Sequence, residues 1–399
     1  MTTTPTTSGA TRGSSGSLAT TSTTRSTVPH RTDGAAPWRH VDLTLVGAVL
    51  AISSFGLLMV YSATRSRLAE GGIDPQYYLQ RQALFVAIGV GVMIVTTFID
   101  YRVYRDFAPL IYAVTVASLV MVLLFGATNR GQQASFDLGA FQLQPSEFAK
   151  VSLIVCLAAY VWTVRGEVDG RRLLVILGTA GVPMALIYLQ PDLGTALVFG
   201  AILMGMLLVS GARPRHLVAL LLLGVVAIGV VIQVGVLKQY QIDRLTSFLD
   251  PEGDTQRSAY NLDQSKTAIG SGGIAGKGLF RGSQTNLSYV PEQHTDFIFT
   301  AVGEQLGLLG SGLLLMLFAL VVWRTWRAAV LAKDHSGTMM CVGVLAMLTF
   351  QIFENVGMTM GIMPITGIPL PLLSYGGSST LATFAAMGLV LNVHMRRFT

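Results

Sequence analysis

Asp296 is the acid best placed for chemistry in this sequence. It closes the run Val290-Pro291-Glu292-Gln293-His294-Thr295-Asp296, which passes straight into the apolar Phe297-Ile298-Phe299-Thr300. A carboxylate at the edge of a hydrophobic run could accept the proton of a substrate hydroxyl. The plainer reading is a helix start, with Thr295 as cap and Asp296 complementing the positive end of the helix dipole. His294 is delivered to the same edge.

A second constellation is Gln144-Pro145-Ser146-Glu147-Phe148-Ala149-Lys150. Pro145 suits the first turn of a helix, and Glu147 and Lys150, three apart, share one face. Ionisable groups inside a membrane span are costly and usually face a cavity. Either the two neutralise each other as a structural pair, or Lys150 helps to hold an anionic head group. Gly270, Gly272, Gly273, Gly276 and Gly278, with Lys266 and Lys277 nearby, form a Gly-rich basic stretch. It lacks the GxxxxGK[ST] pattern and follows no strand, so a nucleotide site is unsupported. It is either a flexible turn region or a place where backbone and lysine contact phosphate or sugar. The segment Met363–Ser379 carries three prolines, Pro364, Pro369 and Pro371, and cannot be a continuous helix. Non-helical backbone at membrane depth must be buried in protein or line a cavity, so this turn, with Ser374 in it, is either structural or part of a site. Asp192, Glu304 and Glu354 lie within or beside apolar runs, and Glu304 falls two helical turns beyond Asp296 on a similar face.

These residues must be positioned by membrane helices. About half of the 399 residues are hydrophobic (51%) and only 12% are charged, whereas a soluble domain carries about a quarter charged residues. Ten runs are long enough to cross a bilayer, at roughly 41–62, 82–99, 107–125, 145–164, 172–190, 193–210, 216–237, 297–322, 339–362 and 377–395. The expected fold is therefore an all-α polytopic membrane protein of ten transmembrane helices, the domain spanning 41–397. Lys and Arg are richer in the loops that a cytoplasmic N-terminus would place inside, which puts both termini in the cytoplasm. The segment 238–296, between the seventh and eighth spans, then becomes a large extracellular loop. It mixes aromatics, spaced charges and glycines, unlike tracts that stay unfolded. Residues 1–40 read as a disordered cytoplasmic tail, and no apolar core of a signal peptide is present in it. Two cysteines and six scattered histidines offer no disulfide framework or zinc site. The net charge of +6 is spread over loops, which argues against nucleic acid. No internal repeat supports a repeat-built transporter.

The runs SFLDPEGD, SKTAIGSGGIAGKGLFRGSQ and VPEQHTDFIFTAVGEQLG, with QPSEFAK and GIPLPLLSYGGSS, resemble the SEDS family of cell-wall proteins over residues 41 to 397. That resemblance implies a ten-span glycosyltransferase that polymerises lipid II into glycan strands beside a class B penicillin-binding protein. Within the family, the lysine of the second run and the short C-terminal tail resemble the elongation branch, typified by RodA, more than the division branch, typified by FtsW. By the same resemblance Asp296 matches the essential acid and Lys150 a basic position serving the substrate. One departure stands out: Ala134 and Ser135 occupy positions where the family commonly has Arg and Trp, so either Arg130 or Phe136 supplies that role or it is dispensable.

The implied reaction is an inverting transfer, because an α-linked undecaprenyl pyrophosphate gives a β-1,4 glycan in one displacement. Asp296 would be the base on the acceptor hydroxyl. Lys150, with Lys266 or Arg244, would neutralise the departing pyrophosphate, and Glu147, His294 and Ser374 complete the substrate-binding set. No cofactor declares itself, although a divalent cation such as Mg2+ or Mn2+ could share the pyrophosphate charge. The rival readings are a lipid II flippase, with its polar groups near the bilayer midplane, and a non-catalytic scaffold for a cell-wall synthase.

Overall fold

The computed structural model describes residues 40–129, 132–137, 139, 141–164, 169–233, 257–287 and 289–398. The N-terminal tail, Arg130, Arg244 and the first part of the long loop lie outside them. Each of the ten apolar runs is helical: α1 (Leu43–Glu70), α2 (Tyr77–Phe98), α4 (Ala108–Phe125), α5 (Pro145–Thr163), α6 (Gly170–Leu189), α7 (Leu193–Val209), α8 (Pro214–Gln233), α11 (Ile298–Val330), α12 (His335–Met360) and α13 (Gly377–Met395). The shorter α3 (Tyr101–Asp106), α9 (Arg257–Gly272) and α10 (Ser283–Asn286) lie between them. Eight of these helices are long and apolar enough to cross a membrane, and α7 is a shorter apolar helix.

Aspartates start several spans. The carboxylates of Asp42, Asp169, Asp192 and Asp334 accept from the backbone N–H of Leu45, Arg172, Thr195 and Gly337, respectively, which satisfies donors that a helix start leaves unpaired. Between helices the cores are apolar, with Phe199, Phe384, Ile154 and Leu157 almost wholly buried. Leu110, Val114, Leu124, Leu309 and Met316 point outward, as lipid-facing helices require.

Two features depart from the sequence reading. The connection between α4 and α5 is not all turn: β1 (Ala127–Asn129), β2 (Gln132–Asp137) and β3 (Gln142–Leu143) form a small antiparallel sheet in the order β1-β2-β3, with Phe136 opposite Leu143. The all-α expectation is corrected to that extent, and Ala134 is buried in it. Helix α11 is broken as well. Gly307 has φ +62° and ψ −159° in the middle of a 33-residue helix. The Gly-rich stretch is stitched into that break. Lys277 and Gly278 donate to the carbonyls of Glu304 and Gln305, while Leu308 and Leu309 donate to those of Gly273 and Ile274. A Cβ at Gly272 or Gly276 would collide with the backbone of Gly303 and Gln305, so the glycines are there for close approach. The flexible-turn reading is overturned: this stretch replaces the hydrogen bonds that the broken helix gives up.

Candidate functional site

The described residues singled out by the sequence gather at one end of the bundle, where α1 ends and α2, α5, α7, α11 and α13 begin. Direct bonds tie these ends together. Ser62 of α1 donates to Gln305 Oε1 (2.7 Å), Gln82 of α2 to the carbonyl of Ser374 (3.2 Å), and Gln144 N to Ser378 Oγ (2.9 Å).

Asp296 is half-buried, in the turn two residues ahead of α11. The cap of α11 is Phe297, without a side-chain bond, and Thr295 donates its hydroxyl to the Glu292 carbonyl (3.0 Å). The plain reading of Thr295 as the helix cap is therefore wrong. Asp296 instead lies just beyond the positive end of α11, where a negative charge complements the helix dipole. The turn is held from behind by Asn355, fully buried in α12. Its Nδ2 donates to the carbonyls of Asp296 (2.8 Å) and Ile368 (2.7 Å). One amide thus locks the Asp296 turn to the proline-rich connection. Sequence reasoning missed Asn355; its only signal was a Glu-Asn pair inside an apolar run.

The proline-rich connection, residues 361–376, is the hub of this end. Thr366 donates to Glu354 of α12 in a short bond. The Ser374 hydroxyl accepts from Leu370 N (2.9 Å) and is buried, so it braces the turn from inside. Leu372 is held at φ 65°, a conformation costing a bulky residue about 1–3 kcal/mol and kept only where surroundings over-determine it. A Cβ at Gly56 would meet the carbonyls of Leu373 (2.8 Å) and Leu372 (2.9 Å), which shows how closely α1 approaches. His294 joins this hub through its carbonyl, which accepts from Tyr375 N (2.9 Å). Its ring lies 4.8 Å from that of Tyr78 and 5.6 Å from that of Tyr375. Burial pushes the Tyr375 hydroxyl up, with Arg81 opposing.

Lys150 and Glu147 form a buried pair. The ammonium reaches both carboxylate oxygens at 2.8 Å, and the two side chains are 3% and 5% exposed. This is the geometry of the self-neutralising pair, and an anion could reach Lys150 only by drawing it away from Glu147. Asp192, at the start of α7, lies beside them. It accepts from Gln144 Nε2 (3.1 Å) and from the Thr195 hydroxyl (2.8 Å). Burial pushes its carboxyl up, and the Thr195 bonds hold it down.

Lys266 is more exposed. It stands 3.9 Å from Asp263 on the same helix and runs alongside Gly361 at the end of α12, where a cation complements the helix dipole. Glu304 is not the floor of a cavity. Fully buried, it accepts from Lys277 Nζ (2.9 Å), Gln284 N (2.8 Å), Thr285 N (2.9 Å) and the Thr285 hydroxyl (2.7 Å). It fastens α10 and the Gly-rich stretch to α11. Among the described residues no group of three His, Cys, Asp or Glu is arranged to hold a metal ion.

Comparison with known proteins places this end of the bundle in context. Residues 43–398 match the family FTSW_RODA_SPOVE, described as cell cycle protein. The peptidoglycan glycosyltransferase MrdB of Escherichia coli strain K12 is 35% identical over 358 residues, 90% of this chain and 94% of the relative. The probable peptidoglycan glycosyltransferase FtsW of Trichlorobacter lovleyi is 37% identical over 363 residues, 88% of this chain and 92% of the relative. A solved chain from work on the coordination of polymerization and crosslinking by a peptidoglycan synthase complex superposes with a TM-score of 0.78 at 31% identity. That match covers 91% of this chain and all of the other. The chain belongs to the SEDS family of FtsW, RodA and SpoVE proteins, as a multi-pass membrane peptidoglycan glycosyltransferase.

Proposed function

We propose that the chain polymerises glycan strands from lipid II by a single inverting displacement, with Asp296 as the base on the acceptor hydroxyl. The observation that carries this reading is the Asp296 turn itself. It is a half-buried aspartate just ahead of a helix, fixed from behind by Asn355 to the proline-rich connection. Fixed placement is what a base needs, because misplacing a reacting group by about 1 Å costs on the order of a hundredfold in rate. The hydroxyl of a bound glycan end would lose its proton to Asp296 as its oxygen attacks the anomeric carbon. The pyrophosphate would then leave with its charge balanced by lysine. Lys150 serves if it exchanges Glu147 for phosphate; Arg244, and Lys266, which is exposed, are the other cations assigned to this task. A divalent cation would arrive with the pyrophosphate rather than sit in a protein cage.

Ten spans, both termini in the cytoplasm and an extracellular 238–296 loop belong to the same proposal, supported by the apolar helices and the Lys/Arg bias of the loops. The lysine of SKTAIGSGG favours the elongation branch over division. A class B penicillin-binding protein is the expected partner, a reading supported by the likeness to a chain of a peptidoglycan synthase complex. The test is to supply lipid II to purified protein in proteoliposomes and digest the products. β-1,4-linked strands and released undecaprenyl pyrophosphate support the proposal. Movement of lipid II across the bilayer without polymer would favour the flippase instead.

A further inference from the structure

At the end of the bundle away from Asp296, a crevice of about 520 Å3 opens between α3, α4, α5 and α6. Trp162 in its wall lies twelve residues beyond Lys150 on α5, about 18 Å along the helix, so the crevice is no part of the glycosyl-transfer site. Its volume falls within the range of small-molecule sites, roughly 300–1,000 Å3. The floor is apolar, made by Ala108, Cys156 and Ala159, and Cys156 spends its thiol on the Ala108 carbonyl. The rim is charged. Arg105 reaches Asp106 at 3.0 Å and stacks its guanidinium 5.0 Å from the centre of the Trp162 ring.

We propose that this crevice binds a zwitterionic phospholipid whose head group joins a phosphate to a primary ammonium, as in phosphatidylethanolamine. Three observations lead there. Trp162 is the next-to-last residue of α5, and Arg105 and Asp106 immediately precede α4. The rim therefore lies at the head-group level of those spans, where tryptophan and tyrosine collect. Two of the helices that wall the crevice also present apolar side chains outward, Leu110 and Val114 of α4 and Leu174 of α6, all exposed. The rim also offers one cation and one anion side by side. A phosphate would take the Arg105 donors and an ammonium the exposed Asp106 carboxylate, each replacing the other's partner. A purely anionic head group would meet Asp106, and a quaternary ammonium has no N–H to give it.

The test uses the tryptophans as reporters. The chain has four, Trp38, Trp162, Trp323 and Trp326, so Trp38→Phe, Trp323→Phe and Trp326→Phe together leave Trp162 alone. The triple variant is reconstituted in phosphatidylcholine vesicles. Each vesicle set carries an equal minor fraction of bromo-acyl phosphatidylethanolamine, phosphatidylcholine or phosphatidylglycerol, and quenching of Trp162 is read. Phosphatidylethanolamine is expected to be favoured about threefold, the selectivity of a partly exposed ion pair. Arg105→Gln and Asp106→Asn should each bring it to the phosphatidylcholine level while lipid II polymerisation is retained. Ala159→Leu fills the floor without touching a charge and should lower quenching by phosphatidylethanolamine as well, so the outcome does not depend on either charge variant folding. Equal quenching by the three lipids, strongest quenching by phosphatidylglycerol, no quenching, or a preference that survives these variants would each overturn the proposal.

Discussion

Asn355→Leu removes the bridge that joins the Asp296 carbonyl to that of Ile368. Nδ2 donates to the Asp296 and Ile368 carbonyls at 2.8 and 2.7 Å, and the residue is fully buried. A buried carbonyl left without its donor costs about 1–3 kcal/mol, but polar contacts between membrane helices average nearer 0.6 kcal/mol each. The stability cost is therefore about 1–3 kcal/mol in all, a loss the fold can absorb. The catalytic cost is larger in proportion. A turn that keeps its Tyr375 N to His294 carbonyl bond but loses the Asn355 bridge is freer to shift, and a displacement of about an ångström costs about a hundredfold in rate, or roughly 2.7 kcal/mol. Lipid II polymerisation in proteoliposomes, with kcat and KM separated, should show kcat falling about tenfold to a hundredfold and KM changing little, alongside a modest fall in melting temperature. Asn355→Asp keeps the side chain's size and, when ionised, cannot donate, so it should fall with the leucine variant. Wild-type turnover in both variants would refute the idea that the Asn355 bonds set the position of Asp296.

Three further outcomes follow from the packing. Lys150→Met strands the Glu147 carboxylate and should cost about 3–5 kcal/mol, whereas Lys150→Met with Glu147→Leu should restore most of the thermal stability. If that stable double variant still polymerises at the wild-type rate, Lys150 is a strut and the pyrophosphate assignment fails. Glu304→Gln weakens the charged bonds to Lys277, Gln284 and Thr285, about 2–3 kcal/mol in sum. Hydrogen exchange should quicken across 277–286, and unchanged protection there would contradict the clamp. Gly307→Ala places a Cβ at φ +62° within 2.7 Å of the Ile274 carbonyl and 2.8 Å of the Gly273 carbonyl. Folded yield in detergent should collapse, and a variant as stable as the parent would show the helix break to be dispensable.

The apolar helices were legible because a run of about twenty apolar residues announces itself locally. Glu147 and Lys150 were legible for the same reason, since three residues on a helix fix their meeting. Thr295 misled because a cap depends on the last non-helical residue, and the turn continues to Phe297. The break at Gly307 was hidden inside an apolar run that reads as one helix. Its stabilising bonds come from residues 273–278, some thirty positions away, and no periodicity reports a partner at that range. The sheet at 127–143 escaped because its strands, of three, six and two residues, are too short for an alternating pattern. Asn355 looked like one polar residue among many until the two carbonyls it holds, distant in sequence, met it in space.

The central claim is that Asp296 takes the proton of the acceptor hydroxyl. The most direct measurement compares wild type with Asp296→Asn in proteoliposomes supplied with lipid II, at matched protein amounts and with melting temperature checked. Asparagine keeps the shape and cannot accept that proton. A folded protein whose polymer formation is abolished is expected, with and without the proposed penicillin-binding partner. Polymer at the wild-type rate from the folded variant would contradict it.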